Sequence, residues 1–332
     1  MNTTSSSPHF GPTAASDVSR SDRNQPQVDA TGRLHATGER ALVLGGGGST
    51  GNAWLIGVLA SLFDAGLDVT AAELTVGTSA GSTAAAQLAG ATPTELLGAI
   101  LAAAPRERTR AVGPGPDRGR AAIGAVADHL ERRRRIIASA ADAADMRRRM
   151  GAAALDLDAA SDGSWQTQWR ATVASRLPGQ RWPDRTVLVT AVDARTGEPV
   201  VFDRHSGVDL VDAVAASCAS GRPYRIGDRP YIDGGYRSNA DNADLAVGYR
   251  RVLVLSPLGG RSLTPVDWGV HLATQVDGLR AGGSSVETVF PDGDSEHLFG
   301  AAAMDPTLRP PAARAGYEQG RARAEQLTGF WR

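Results

Sequence analysis

Residues 75–83 read TVGTSAGST and place a serine, Ser79, between two glycines. An apolar run precedes this stretch and an alanine-rich run follows it, which is typical of a strand, a tight bend and a helix. A G-x-S-x-G bend of this kind strains the serine backbone and exposes the hydroxyl beside a helix N-terminus, where free N–H groups favour negative charge. The stretch predicts either a catalytic nucleophile at Ser79, with Gly77 and Gly81 shaping the bend, or an ordinary structural turn. We favour the nucleophile.

A second glycine-rich stretch, GGGGSTG at residues 45–51, also follows a short apolar run and opens a predicted helix. Its spacing fits a dinucleotide-binding fingerprint, and Asp68 lies near the position of the acidic residue that such a motif requires. Consecutive glycine N–H groups can instead converge on one oxyanion, and two glycine-shaped bends at adjacent strand ends are expected for acyl transfer. We therefore favour an oxyanion hole. Its predicted donors are the main-chain N–H groups of Gly46, Gly47 and Gly48.

The two strand–bend–helix units in series predict a parallel sheet covered by helices. Residues 93–180 have a mainly helical pattern. Further strands are predicted at residues 186–194, 199–203 and 251–257. We predict one α/β domain over residues 39–330, with a helical insertion at about 105–180.

The composition of the 332-residue chain excludes several classes of function. Every basic side chain other than histidine is arginine, so a Walker phosphate loop and Schiff-base chemistry, which both need lysine, are excluded. The net charge of −1 gives no whole-protein basic field that would favour nucleic acid as a partner. The single cysteine, Cys218, excludes an intramolecular disulfide and a multi-cysteine metal site.

The first 38 residues are polar and rich in serine, threonine, proline and glycine. They lack the apolar region of a secretory signal and cannot bury enough surface to offset the entropy of ordering, so we expect residues 1–38 to be a disordered tail. No run of about 18 apolar residues appears in the chain, so we expect no membrane span. A cytoplasmic location is the simplest expectation.

A serine nucleophile requires a base. Six histidines are present, but none lies in a loop motif that marks it as the partner of Ser79. In the stretch YIDGGYRSNADNADLA, Asp233 follows a short apolar segment and precedes a Gly-Gly turn at a predicted strand end. The pattern also fits an ordinary Asp-Gly turn. An aspartate that acts as a base needs burial or an apolar wall to raise its pKa.

Three motifs in this order, GGGGSTG, GTSAGS and DGG, resemble those of the patatin-like phospholipases over about residues 40–310. The resemblance implies a three-layer α/β/α fold with a mostly parallel central sheet, and hydrolysis of lipid acyl esters without a metal or organic cofactor. It also implies a Ser-Asp dyad of Ser79 and Asp233, with the glycine-rich loop as the oxyanion hole. A phospholipid or another acyl lipid is then the expected substrate, with peripheral contact to a membrane.

Thr50 stands where many members of that family carry arginine or lysine, so no basic substrate contact is expected from this position. Two other hypotheses stay open. One is an α/β-hydrolase triad of Ser79, Asp233 and either His271 or His297, which the chain order permits. The other is a lipid-binding module on the same fold that has lost turnover. A nucleotide-binding oxidoreductase is a further alternative.

The predicted insertion is rich in arginine, since residues 105–150 hold twelve arginines and six acidic residues. A basic helical surface would meet anionic phospholipid head groups. Arg132–Arg135 wrap around a helix instead of forming one stripe, which favours a solvated face with Glu/Asp–Arg pairs. The insertion is also a candidate cap over the acyl pocket, lined by its alanines and by Ile136, Ile137 and Leu155.

Overall fold

In the part of the chain that the structure describes, a mixed sheet of eight strands forms the centre. The computed structural model describes residues 29–33, 37–103, 117–159 and 163–332, with the backbone alone over 117–127. The strands are β1 (Gly38–Leu44), β2 (Leu74–Gly77), β3 (Thr186–Asp193), β4 (Pro199–Phe202), β5 (Tyr224–Ile226), β6 (Arg229–Asp233), β7 (Tyr249–Leu255) and β8 (Ser285–Val289). Their order is β5–β6–β3–β2–β1–β7–β8, and β4 also pairs with β3.

The centre of the sheet is parallel and one end is antiparallel. β1 pairs in parallel with both β2 and β7, and the β2–β3 and β7–β8 pairs are parallel as well. β3 pairs antiparallel with β4 and β6, and β5 pairs antiparallel with β6. β2 is buried along its whole length, as expected of a parallel strand covered on both faces. The prediction of a mostly parallel central sheet is confirmed.

Helices cover both faces of this sheet. They are α1 (Gly48–Asp64), α2 (Ala80–Gln87), α3 (Pro93–Ala102), α4 (Asp117–Ser139), α5 (Ala143–Ala159), α6 (Ser164–Ala174), α7 (Leu210–Ser217), α8 (Leu272–Ala281) and α9 (Arg309–Trp331). Alternate residues of β1 enter different cores, because successive strand side chains point to opposite faces. Leu42 and Leu44 pack in the core that contains α1 and α9, whereas Ala41 and Val43 pack in the core that contains α8. The arrangement is the predicted three-layer α/β/α fold.

The predicted helical insertion at about 105–180 contains α4, α5 and α6, while residues 104–116 and 160–162 lie outside the described residues. A third apolar cluster joins α4 and α5 to the sheet. In it, Ile137 and Met146 pack with Val192 of β3 and Ile232 of β6. The insertion is thereby fixed to the antiparallel end of the sheet, next to the end of β6.

Most of the predicted tail, residues 1–28 and 34–36, also lies outside the described residues. Its segment Thr31–Arg33 forms a short 3-10 helix, and Ala30 is fully buried. The Ala30 N–H donates to the Val201 carbonyl at 2.7 Å, and Asp29 accepts from the Val201 N–H at 2.9 Å. These two hydrogen bonds, one of them to the Asp29 side chain, cover the outer edge of β4, so part of the predicted tail packs against the sheet.

Candidate active site

Two strands bring the predicted nucleophile and base together on one edge of β3. Val189 of β3 pairs with Gly77 at the end of β2, and Ala191 pairs with Asp233 at the end of β6. β4 occupies the opposite edge of β3 over residues 189–192, so β2 and β6 lie end to end along the same edge. Ser79, two residues beyond Gly77, therefore arrives at the level of Asp233.

Ser79 has the strained backbone that its motif predicts. Its φ of 51° and ψ of −111° lie in a region that residues with a side chain rarely adopt. The Ser79 N–H donates to Ser217 Oγ at 2.9 Å, and the Ser79 carbonyl accepts from Ser82 Oγ at 2.7 Å and from Cys218 Sγ at 3.2 Å. Such strain persists where surrounding contacts fix it, and here the end of α7 supplies two of them.

Gly81 allows the close approach of the bend to β1. A Cβ atom at Gly81 would collide with the carbonyl oxygen of Leu44, and one at Gly77 would lie 2.7 Å from the Cα atom of Ser82. Both positions therefore exclude a side chain, and the two glycines shape the bend as the motif predicts.

The hydroxyl of Ser79 donates a hydrogen bond directly to Asp233, with 2.9 Å between Oγ and Oδ2. The other carboxylate oxygen of Asp233 accepts from the Gly235 N–H at 2.8 Å. Asp233 is only 8% exposed, and burial raises its pKa to about 6, although hydrogen bonds from Gly235 and Ser79 and the charge of Arg133 act in the opposite direction. The carboxyl group thus has the raised pKa that a general base at neutral pH requires.

The glycine-rich loop between β1 and α1 faces Ser79. A Cβ atom at Gly46 would lie 3.5 Å from the Cβ atom of Ser79. The Gly46 N–H already donates to the Ala240 carbonyl at 2.7 Å, so this amide is not free for an oxyanion in this arrangement, and the oxyanion hole stays a prediction. Among the described residues, no acceptor bonds the N–H groups of Gly47 and Gly48. These two amides, at the N-terminus of α1, are available for an anion.

A buried asparagine, Asn242, connects the serine bend to the aspartate loop. Its Nδ2 donates to Thr78 Oγ1 at 2.9 Å and to the Gly234 carbonyl at 3.0 Å. Asn242 is fully buried and has a left-handed φ of 55°. It thus bonds the neighbours of both Ser79 and Asp233, a role that no local sequence motif predicts.

The Ser79–Asp233 pair lies in a cleft of about 1800 Å³. This volume exceeds that of a typical pocket for a small molecule. From α4, the cleft is lined by His129, Leu130, Arg133 and Arg134. Ile136, Ile137 and Leu155 do not line it, in contrast to the prediction, because they pack in the cluster against β3 and β6.

The sequence profile of the patatin-like phospholipase family matches residues 42–246, which is more than half of the chain. The chain belongs to the patatin-like phospholipase family. The matched segment of this patatin-like chain contains Ser79, Asp233 and the glycine-rich loop. Comparison with curated proteins finds no match.

Two solved structures align with most of this patatin-like chain. VipD from Legionella pneumophila aligns at 13% identity with a TM-score of 0.38, covering 87% of this chain and 67% of VipD. The type III effector protein ExoU aligns at 15% identity with a TM-score of 0.34, covering 87% of this chain and 53% of ExoU. Nearly half of ExoU therefore lies outside the alignment, and the family assignment rests on the match over residues 42–246.

The histidines of the alternative triad lie apart from the patatin-like site. His271 Nε2 bonds the carbonyl of Thr264 at 2.8 Å, and His297 Nδ1 bonds the carbonyl of Asp294 at 2.9 Å. Neither imidazole lines the cleft, and no bond joins either one to Asp233. Among the described residues, no cluster of three or more His, Cys, Asp or Glu side chains is arranged to hold a metal ion.

The arginines of the insertion have mixed surroundings. Arg135 pairs with Glu131 and Arg149 pairs with Asp145, as a solvated helix face would have them. Arg133 instead lies over the ring of Tyr236 in the cleft, 5.7 Å from its centroid. No helix in the described part of the chain combines the length and the apolar character that a membrane span requires.

Proposed function

We propose that the protein hydrolyses acyl esters of lipids, with Ser79 as the nucleophile and Asp233 as the general base. The hydrogen bond of 2.9 Å between Ser79 Oγ and Asp233 Oδ2 carries this proposal. As Oγ attacks the ester carbonyl carbon, its proton passes to Asp233 and the carbonyl electron pair moves to oxygen. The Gly47 and Gly48 amides stabilise that oxyanion, and one such donor contributes about 3 kcal/mol.

The tetrahedral intermediate then breaks its bond to the alcohol or lysolipid, which leaves with the proton held by Asp233. Water enters, Asp233 takes its proton, and the resulting attack forms a second tetrahedral intermediate. The acyl group departs as a fatty acid while the proton returns to Ser79 Oγ. Asp233 thus acts as the base in both the acylation and the deacylation step. The catalytic domain that we propose spans residues 39–330.

Exposed apolar side chains at the cleft support peripheral contact with a lipid surface. Leu101, Leu263 and Met304 line the cleft and are 37%, 48% and 58% exposed. Arg134 lies among the same lining residues and would meet anionic head groups. Cosedimentation with anionic and zwitterionic vesicles tests this contact, which is excluded if the protein stays in the supernatant with both.

Labelling by a fluorophosphonate tests the nucleophile. We expect one adduct on the wild-type protein, located at Ser79 by peptide mass analysis, and none on Ser79→Ala. Hydrolysis of p-nitrophenyl esters and phospholipids then separates an esterase from a phospholipase. A protein that binds acyl lipid but neither takes the label nor releases fatty acid would be a lipid-binding module, and the proposal would be wrong.

A further inference from the structure

Charge among the described lining residues of the cleft is unbalanced. Its described lining includes the arginines Arg133, Arg134, Arg176, Arg261, Arg309 and Arg314. The lining carboxylates are Asp233, Glu296 and Asp305. Glu296 pairs with Arg261 at 2.9 Å, and Asp233 is engaged by Ser79. The remaining arginines face the cleft without a carboxylate partner that the structure describes, which favours an anionic ligand.

Arg309, at the start of α9, is held by neutral groups of α1. Its guanidinium donates to the Ser49 carbonyl at 2.8 Å, to Ser49 Oγ at 3.2 Å and to Asn52 Oδ1 at 3.1 Å. No described carboxylate forms an ion pair with it. Burial lowers the pKa of Arg309, and the charge of Arg176 lowers it further. Arg309 is therefore a fixed, partly desolvated cation with a second cation nearby.

Arg176 follows α6 and lines the same cleft as Arg309, whose pKa its charge lowers. Its guanidinium carbon lies 5.6 Å from the ring centroid of Trp169, whose Nε1 donates to the Ala215 carbonyl at 3.0 Å. The anchored indole orients the arginine by a cation–π contact. Arg176 likewise has no ion-pair partner among the described residues, so neither positive charge is balanced by a carboxylate in that part of the chain.

Arg309 lies close to the glycine-rich loop that faces Ser79, and Arg176 lines the same cleft. Ser49, which Arg309 contacts, directly follows Gly48, one of the two unbonded amides of the glycine-rich loop. The contacts to Ser49 and Asn52 place Arg309 within about one helical turn, roughly 5 Å, of those amides along α1. In a glycerophospholipid only a few bonds separate the scissile carbonyl from the phosphorus atom. This separation matches the one between the loop amides and Arg309. The α1 N-terminus adds to the positive potential.

We propose that Arg176 and Arg309 form an anion subsite that binds the phosphate beside the scissile ester of a glycerophospholipid. The inference rests on the proposed function and deepens it, since it assigns two residues that distinguish phospholipids from neutral esters. Arginine suits this task because its planar guanidinium binds phosphate oxygens in a bidentate manner. Inorganic phosphate presents similar oxygens, so the test separates the head group from free phosphate.

Binding to the Ser79→Ala protein tests the subsite without catalysis. We expect dodecyl phosphate to bind about ten- to a hundredfold more tightly than dodecanol, and Arg176→Gln with Arg309→Gln to remove that difference. Arg204→Gln is the matched control, since Arg204 is paired with Asp184 outside the cleft. Equal affinity for dodecyl phosphate and dodecanol would show that the subsite does not exist. If inorganic phosphate binds as tightly as dodecyl phosphate, the subsite binds free phosphate and not a lipid head group.

Activity of the same variants with a functional Ser79 provides the second readout. We expect the double variant to lower kcat/KM for a short-chain phosphatidylglycerol about tenfold or more beyond any loss that it causes on p-nitrophenyl butyrate. An equal loss on both substrates contradicts a specificity role. If the wild type hydrolyses neither substrate, the proposed function fails while the binding result still decides the subsite. The single Arg176→Gln change, at an exposed side chain, tests the same expectation if the double variant does not fold.

Discussion

Gly77 and Asp233 lie on the same edge of β3, Gly77 paired with Val189 and Asp233 with Ala191. The pairing brings the hydroxyl of Ser79 to 2.9 Å from a carboxylate that is 154 positions away in the chain. β6 runs antiparallel to β3 whereas β2 runs parallel to it, so both strands end at this point on the sheet. The meeting of serine and aspartate is thus a consequence of strand direction.

Replacing Asp233 by asparagine should abolish hydrolysis while preserving the fold. Asparagine can still accept the Gly235 N–H but cannot take the proton of Ser79. We expect kcat/KM for an ester to fall at least about a thousandfold. Steady-state kinetics measure this loss, and circular dichroism verifies the fold. Retention of a tenth of wild-type activity would rule out Asp233 as the general base.

The pH dependence of activity should follow the ionisation of Asp233. Its pKa, raised to about 6 by burial, means that the carboxylate is protonated and inactive as a base below this pH. We expect kcat/KM to rise as the pH increases through about 6 and to level off above it. A profile that is flat between pH 5 and 7 would show that a different group accepts the proton.

Removing the donor group of Asn242 should loosen the link between the two catalytic loops. Asn242→Ala and Asn242→Asp both delete the Nδ2 bonds to Thr78 and Gly234, and the aspartate keeps the size of the side chain. We expect each variant to lose about 1–3 kcal/mol of unfolding free energy and to have reduced kcat. Chemical denaturation and ester kinetics measure the two effects. Wild-type behaviour of Asn242→Asp would refute this role.

Gly48 should tolerate no side chain, because its φ is +67° and a Cβ atom would lie 2.8 Å from the Ala303 carbonyl oxygen. Gly66 is a matched control, with a φ of +79° and open space around it. We expect Gly66→Ala to lose about 1 kcal/mol of stability from backbone strain. Gly48→Ala should lose more, because of the added contact with Ala303, and should lose esterase activity as well. Equal activity of the two variants would show that the loop does not need this conformation.

Asp241 should make the stability of the protein depend on pH. It is 1% exposed, its Oδ1 has no hydrogen-bond partner among the described residues, and burial raises its pKa to about 7 against the opposing effect of a Ser256 hydrogen bond. A raised carboxyl pKa means that the folded protein binds more protons than the unfolded chain between about pH 4 and 7. Stability therefore decreases as the pH rises through this window.

Asp241→Asn removes that dependence, so we expect the variant to gain stability relative to the wild type as the pH rises from about 4 to 7. Asp233 also lowers the stability of both proteins as the pH rises to about 6. The range from about pH 6 to 7 is therefore the most informative. Urea denaturation across the window measures the difference. Parallel pH curves for the two proteins would exclude this buried carboxyl as the cause.

The sequence predicted the parts of the site that local patterns encode. The Ser79 bend and the aspartate turn each lie within a few residues of a strand end, so apolar runs and glycines were sufficient to find them. The occupied amide of Gly46 was not predictable, because its acceptor, Ala240, comes from a segment distant in the chain. Arg309 was missed for the same reason, since its contact with Asn52 spans 257 positions and no local motif marks it.

The strand that follows the family match shows that residues 42–246 are not a complete folding unit. β7 begins at Tyr249 and is the neighbour of β1 in the middle of the sheet. A chain truncated after residue 246 would leave β1 as an unpaired edge, with its N–H and C=O groups open to association with other chains. It would also lack Ala303, whose carbonyl bonds the Thr50 N–H in the first turn after the glycine-rich loop. We therefore expect a chain truncated at the matched boundary to aggregate instead of folding into a smaller active domain.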